Sequence, residues 1–286
     1  MTASLTIDVD ELKKLNEYIL SKNLNVIPVK SEHELLRIKD GDVSIIVYKS
    51  YKIVHNESLE SWKVLESILK KEKEFEYILG SDETGKGEWY GPLVIEAVAL
   101  TPSQIIEFRK LGVRDSKTIG KSQLIEIAEK LMKKKFPRKY RIFSPETYNI
   151  RFSEFKKEGK SLNDMMAWAH AEAIKDLLLE EIENKKTRVI IDKFDVKKTE
   201  SRLRGEMRVR KIPDNSVEVI QKSKGESEIP VAAASIIAKY IFEKEVDKLN
   251  KKYGVDLRNS EPSEIDPKTL PYVAKIHFKN VSKHLT

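Results

Sequence analysis

Phe75-Glu76-Tyr77-Ile78-Leu79-Gly80 runs straight into Ser81-Asp82-Glu83-Thr84-Gly85-Lys86-Gly87-Glu88-Trp89-Tyr90-Gly91-Pro92. The first six residues read as a strand and the glycines beyond them as a turn. Two adjacent acids at the end of an apolar strand need a reason, because desolvating an unpaired charge inside a sheet is costly. They must face water, a cleft or a cation. A solvated hairpin tip is the plain alternative. Four glycines and a proline around the pair weigh against it, since glycine permits tight backbone paths and close approach by a ligand. The segment matches neither the P-loop nor the dinucleotide-binding fingerprint.

Working outward, residues 93–100 form a continuous apolar run of the kind covered on both faces of a sheet. Helices are expected near 121–135, 162–184 and 230–251, and strands near 139–143, 188–192 and 217–221. Front strands followed by alternating helices and strands predict an α/β fold, a mixed sheet flanked by helices. Upstream, residues 9–22 have helical spacing. Short β-type runs follow at 25–29, 35–38, 44–48 and 51–54, then a helix at 59–71 that buries Trp62. That is a complete small α+β unit. The charge-dense segment Lys70-Lys71-Glu72-Lys73-Glu74 reads as a connector, dividing the chain into domains 1–73 and 74–286.

Composition narrows the chemistry. Lys and Arg total 53 against 46 acids, a formal charge of +7, which favours a polyanionic partner. With no cysteine, disulfides, thiolate zinc sites and Cys nucleophiles are excluded. Any metal must sit on oxygen or imidazole. No secretory signal and no apolar run approaching the ~20 residues of a membrane span is present, so a cytoplasmic protein without membrane partners is expected, and a monomer.

Two further acidic positions stand out. Arg188-Val189-Ile190-Ile191 leads straight to Asp192, at the carboxyl end of a strand, where α/β sheets hold ligands; Asp195 reads as a turn residue. Glu226 and Glu228 precede Pro230 and the small-residue run Ala232-Ala233-Ala234-Ser235. Acids before a helix also gain from its dipole, the bland account of both glutamates. Several converging carboxylates suit Mg²⁺ or Mn²⁺, and a pair of such ions serves phosphodiester hydrolysis.

At this point the residues resemble the type 2 ribonucleases H, and within them ribonuclease HIII. Four blocks carry the likeness in the family's order: Asp82-Glu83 with Gly85-Lys86-Gly87 and Tyr90-Gly91-Pro92; Gly112-Val113-Arg114-Asp115-Ser116-Lys117; Ile191-Asp192-Lys193-Phe194; and Glu226 with Ala232 through Lys239. Three features resemble ribonuclease HIII more than ribonuclease HII. They are the N-terminal module, similar to half of a TATA-binding protein; Asn163 with Trp168-Ala169-His170; and Lys275-Ile276-His277-Phe278-Lys279-Asn280.

The resemblance implies a ribonuclease H-like catalytic domain behind a TATA-binding-protein-like substrate-binding domain. It implies cleavage of the RNA strand of RNA/DNA hybrids by two Mg²⁺ or Mn²⁺ ions, leaving 5′-phosphate and 3′-hydroxyl ends. Asp82, Glu83, Asp192 and Glu226 would be the catalytic, metal-binding carboxylates, with Asp82 bridging the ions. Glu226 stands where many members carry aspartate, and Glu228 is the alternative register. Gly85, Lys86 and Gly87 would meet the substrate backbone at the 2′-hydroxyl, the group that distinguishes RNA from DNA. Ser116, Lys117, Lys222 and Lys224 would border the same groove.

Bland readings remain beside these. Ser116 or Thr118 also reads as the cap of the helix near residue 120. Lys222 and Lys224 also read as a solvated edge. His170 reads as a structural mid-helix histidine, and Trp62 and Trp168 as core. Trp89 and Tyr90 fit stacking on substrate or packing beneath the loop. Lys30, Arg37, Lys39, Lys49 and Lys52 fall on or beside strands whose outer face suits phosphate contacts. Two other functions fit the same residues: a ribonuclease HII-like enzyme cutting at single ribonucleotides in DNA duplexes, and a non-catalytic nucleic-acid-binding protein.

Overall fold

The chain divides into two units, Met1–Glu72 and Lys73–Thr286. The computed structural model describes residues 2–56, 58–69, 75–192, 201, 205, 216–222 and 225–285, the side chains of residues 3, 192, 221, 222 and 226 excepted. Among these residues no helix is long and apolar enough to cross a membrane.

The first unit contains β1 (Thr2–Thr6), α1 (Val9–Lys22), β2 (Glu34–Asp40), β3 (Val43–Tyr48), β4 (Lys52–Asn56) and α2 (Leu59–Ile68). Its sheet is antiparallel in the order β1-β4-β3-β2. Period-2 alternation assigns the faces. Val43, Ile45 and Val47 are buried, as are Leu15, Trp62 and Leu65 on the helices. Ser44, Ile46 and Tyr48 take the opposite, half-exposed face. Asp8 opens α1 with a capping box completed by Glu11. The expected strand at 25–29 does not form. The Ile27 N–H donates to the Arg37 carbonyl, the Lys39 N–H donates to the Asn25 carbonyl and Val26 bridges Ile38, but Pro28 has no N–H with which to continue a ladder. β1 was not foreseen, being too short and polar to show a pattern.

The second unit is built on β5 (Tyr77–Thr84), β6 (Leu93–Leu100), β7 (Arg138–Phe143), β8 (Thr187–Asp192) and β9 (Val217–Lys222), ordered β7-β6-β5-β8-β9. β7, β6 and β5 pair antiparallel, whereas β5, β8 and β9 run parallel. The remaining long elements are α3 (Pro102–Lys110), α4 (Lys121–Met132), α5 (Pro145–Lys157), α6 (Leu162–Glu180) and α7 (Ile229–Tyr253). α6 covers one face of the sheet; α7, with α3 and α4, covers the other. Two-sided cover explains why every residue of β6 is buried.

One residue of β6 breaks the apolar rule. Glu96 is fully buried, and Arg138 on the edge strand grips it with two bonds, Nε to Oε1 at 2.7 Å and Nη2 to Oε2 at 3.1 Å. Burial still pushes its carboxyl up to about 7 against the pull of Arg138. α3 and α5 went unread in the sequence although both open on Thr/Ser-Pro caps, Thr101-Pro102 and Ser144-Pro145. Their amphipathic patterns are weak, and α5 buries only Pro145 and Tyr148. The helix expected near residue 120 does start there, but its N-cap is Gly120 rather than Ser116 or Thr118. Asp115 caps a separate short turn, Ser116–Thr118.

Candidate active site

β5 carries its functional residues by simple alternation. Ile78 packs with Val231 of α7, while Leu79 lies in the cluster with Met166 and Ala169 of α6. Four residues beyond each, the same alternation turns Asp82 to α7 and Glu83 to α6. Asp82 accepts a hydrogen bond from Ser235 on α7. Glu83 meets His170 on α6, Oε2 lying 3.2 Å from Nε2. The acidic pair thus straddles the strand end, one side chain braced from each layer.

Both braces continue into the protein. Ser81 donates its hydroxyl proton to the Glu96 carbonyl at 2.9 Å, so toward His170 it accepts, and Nδ1 at 2.8 Å is the donor. His170 thus links Ser81 to Glu83, one ring nitrogen facing each. On the other side Lys239 donates to Ser116 Oγ at 2.7 Å, and Ser116 lies 2.9 Å from Ser235. Each hydroxyl has one proton, so donation runs from Lys239 through Ser116 and Ser235 to Asp82.

Electrostatics separate the pair. Burial, and then the charge of Glu83, push the Asp82 carboxyl up to about 7, with Ser235 pulling the other way. Burial also works to raise Glu83, but the hydrogen bond and charge of His170, with Lys86 at 3.9 Å, hold it below the ordinary glutamate value. Two carboxyls this close cannot both ionise at low cost without a cation. The donors are oxygen atoms, the ligands hard divalent ions prefer.

Asp192 and Glu226 can be placed by backbone only, their side chains lying outside the described residues. Gly80 pairs with Ile190 on the parallel neighbour β8. Asp82 and Asp192 each stand two residues beyond that rung, so their backbones end adjacent strands at one level, with strands ~4.8 Å apart. Glu226 lies in the short turn Gly225–Ser227, which sits beside β8 and the start of α7. Glu228, half-buried, is the N-cap position of α7.

The glycine loop divides into two kinds of residue. Gly85 has φ +95° and a Cβ there would lie 2.2 Å from the Pro92 carbonyl oxygen; its identity is set by the chain's own path. Gly87 is exposed with nothing near a Cβ, leaving its backbone open to a ligand. Lys86 and the exposed Lys117 lie at the surface around the site, whereas Ser116 is buried with its hydroxyl committed inward. The Lys222 side chain and all of Lys224 lie outside the described residues. Trp89 and Tyr90 pack against the cluster around Phe242 and Val246. Sequence reading missed the roles of His170, Ser235 and Lys239 around the acids. The α7 signal was present, because Val231, Ser235 and Lys239 repeat every four residues on the face turned to β5.

A family profile described as Ribonuclease HII matches residues 79–282. Ribonuclease HIII of Bacillus mycoides is 34% identical over 219 residues, 72% of this chain and 67% of that one. Ribonuclease HIII of Bacillus cereus is 34% identical over 221 residues, 73% and 68%. Among solved structures, Bst-RNase HIII in complex with Mn²⁺ matches with a TM-score of 0.62 at 23% identity, covering 100% of this chain and 98% of that one. RNase H3 of Aquifex aeolicus gives 0.54 at 22%, covering 97% and 100%. Ribonuclease H2 of Pyrococcus horikoshii gives 0.57 at 24%, covering 73% and 97%. At these identities the structural matches speak to the fold, and they agree with a helix-flanked mixed sheet preceded by a small α+β domain.

Proposed function

Because the chain belongs to the type 2 ribonuclease H family, on its ribonuclease HIII branch, and is an endoribonuclease, we propose that it hydrolyses the RNA strand of RNA/DNA hybrids with two bound divalent cations. The products are 5′-phosphate and 3′-hydroxyl ends. Asp82, Glu83, Asp192 and Glu226 would hold the ions. The observation that carries this reading is the half-buried acidic pair at the end of β5, braced from both helical layers and mutually repelling. A scaffold that invests a lysine–serine–serine chain and a histidine in two carboxylates is holding them in register for a cation.

When bound, Mg²⁺ or Mn²⁺ supplies activation of the attacking water and stabilisation of the leaving oxygen. The protein's own groups do the rest. His170 and Ser235 orient the two carboxylates. Gly87 offers an unobstructed backbone to the substrate's 2′-hydroxyl, flanked by Lys86 and Lys117; Lys222 and Lys224 are proposed as further substrate-binding residues. Ser116 acts from beneath, through Ser235. The outer sheet face of the first unit, with Lys39, Lys52 and Tyr48, adds sequence-blind phosphate contacts. Recognition is of duplex shape, since side chains read a hybrid's deep major groove poorly. The protein acts in the cytoplasm as a monomer.

A hybrid labelled on either strand, incubated with Mg²⁺, Mn²⁺ or chelator, tests this directly. Cutting confined to the RNA strand, supported by either ion and abolished by chelator, is expected. Chelator-resistant cutting refutes the metal mechanism, and cutting only at single ribonucleotides in DNA favours the ribonuclease HII-like alternative.

A second expectation concerns pH. Cation binding requires the ionised form of Asp82, whose carboxyl titrates at about 7 in the cation-free protein. Protons therefore compete below that value, and affinity falls about tenfold per pH unit. Mn²⁺ titrations should show binding about tenfold weaker at pH 6 than at pH 8. A flat profile over that range removes Asp82 from the ligand set.

A further inference from the structure

We propose that Lys275 is a positioning residue that holds the substrate-reading glycine loop in shape from behind. The inference rests on the reading above that this loop meets the hybrid. Lys275 comes from the C-terminal segment that the sequence singled out and that the proposed chemistry does not use. Its side chain is fully buried, and Nζ donates to three backbone carbonyls of the loop: Gly91 at 2.7 Å, Tyr90 at 2.9 Å and Glu88 at 3.1 Å. An ammonium has three protons, and each finds one carbonyl.

The backbone around it completes a knot. The Lys275 N–H donates to the Trp89 carbonyl at 2.7 Å, and the Gly91 N–H donates to the Val273 carbonyl at 2.9 Å. Tyr90 bridges Ala274. Residues 88–91 thus have every carbonyl turned toward one short segment. That segment is fastened in turn to α5. Asn149 Nδ2 donates to the carbonyls of Pro271 at 3.1 Å and Ala274 at 2.9 Å, and the Ile276 N–H donates to Asn149 Oδ1 at 3.0 Å.

Burying an ammonium is expensive, and burial pulls the Lys275 pKa down to about 7 against the opposing charge of Glu88. An apolar side chain would fill the same space more cheaply, but it would leave three inward carbonyls unsatisfied. The arrangement makes sense as a template for a loop that has no ladder of its own. Gly85 and Gly91, at φ +95° and +69°, seat the two ends on Phe242 and Val246. With both ends and the carbonyl side fixed, Gly87 stays open toward the substrate side.

The test uses the full chain. Lys275→Met should weaken binding of a labelled RNA/DNA hybrid, measured by anisotropy in chelator, by about tenfold. KM should rise in parallel while kcat and Mn²⁺ affinity stay within about threefold, a split that general destabilisation would not produce. Asn149→Ala should shift the same quantities less, and it serves if the first variant does not fold. Unchanged hybrid affinity in the folded variant, or equal losses of hybrid and Mn²⁺ affinity, overturns the proposal. Gly87→Val separates the two layers of argument: if it leaves hybrid binding intact, the loop does not read substrate. If it weakens binding while Lys275→Met does not, only the role of Lys275 fails.

Discussion

Asp82→Asn is expected to slow hybrid cleavage a thousandfold or more, about 4 kcal/mol on the barrier, while raising the thermal midpoint of the cation-free protein. Asparagine keeps the shape and can still accept from Ser235, so the fold around it should survive. What it lacks is charge, and charge is what the proposed cations need. The same charge is a liability without them, because it is half-buried beside Glu83. A carboxyl raised in the folded state holds more protons folded than unfolded between about pH 4 and 7. Its penalty is therefore absent below pH 4 and complete above pH 7. Melting curves of parent and variant should accordingly diverge as pH rises from 4 to 8, with the variant the more stable at pH 8. A variant that keeps a tenth of the parent's activity would falsify the assignment of Asp82 to the reaction.

The acids of β5 were legible because a strand's apolar run makes any charge at its end conspicuous, and Asp192 at the end of β8 was legible for the same reason. Their braces were not. Ser81 and Glu83 meet His170 across separations of 89 and 87 residues, and Lys239 reaches Ser116 across 123. Nothing in local spacing announces such contacts. His170 was read as structural because a mid-helix histidine usually is; its contacts with Ser81 and Glu83 could not be read from the sequence. Ser116 was read toward the groove, yet its hydroxyl is spent inside. Lys275 is the clearest case. Local spacing gives a lysine in a short terminal segment no mark of burial, and only the closure of residues 88–91 over it, 184 to 187 residues earlier in the chain, makes it a buried donor. The sheet's centre was read well because continuous burial leaves a composition signal, whereas β1, α3 and α5 are weakly patterned elements fixed by what they pack on.

Gly80 shows the same limit and yields the other large expectation. In the sequence it only ends an apolar run. In the fold a Cβ at this position would lie 2.4 Å from the Val231 backbone nitrogen, 2.6 Å from Val231 Cγ2 and 2.7 Å from the Pro230 carbonyl carbon. Two of these three atoms are backbone, so no rotamer change relieves the clash. The first turn of α7 must move off the sheet instead. Gly80→Ala should therefore destabilise the protein by about 3 kcal/mol, the upper range for overpacking, lowering the midpoint by roughly 10 °C for a domain of this size. Ser235, which bonds Asp82, and the turn containing Glu226 both belong to the displaced region, so cleavage should fall more than stability alone accounts for at temperatures where the variant is folded. Gly87→Ala, where a Cβ meets nothing within 4 Å, is the matched control and should change the midpoint by less than about 2 °C. Equal midpoints for the two variants would show that α7 yields easily here. The close contact of α7 with β5 would then not be what holds Ser235 against Asp82, and the bracing of the acidic pair would have to come from α6 and His170 alone.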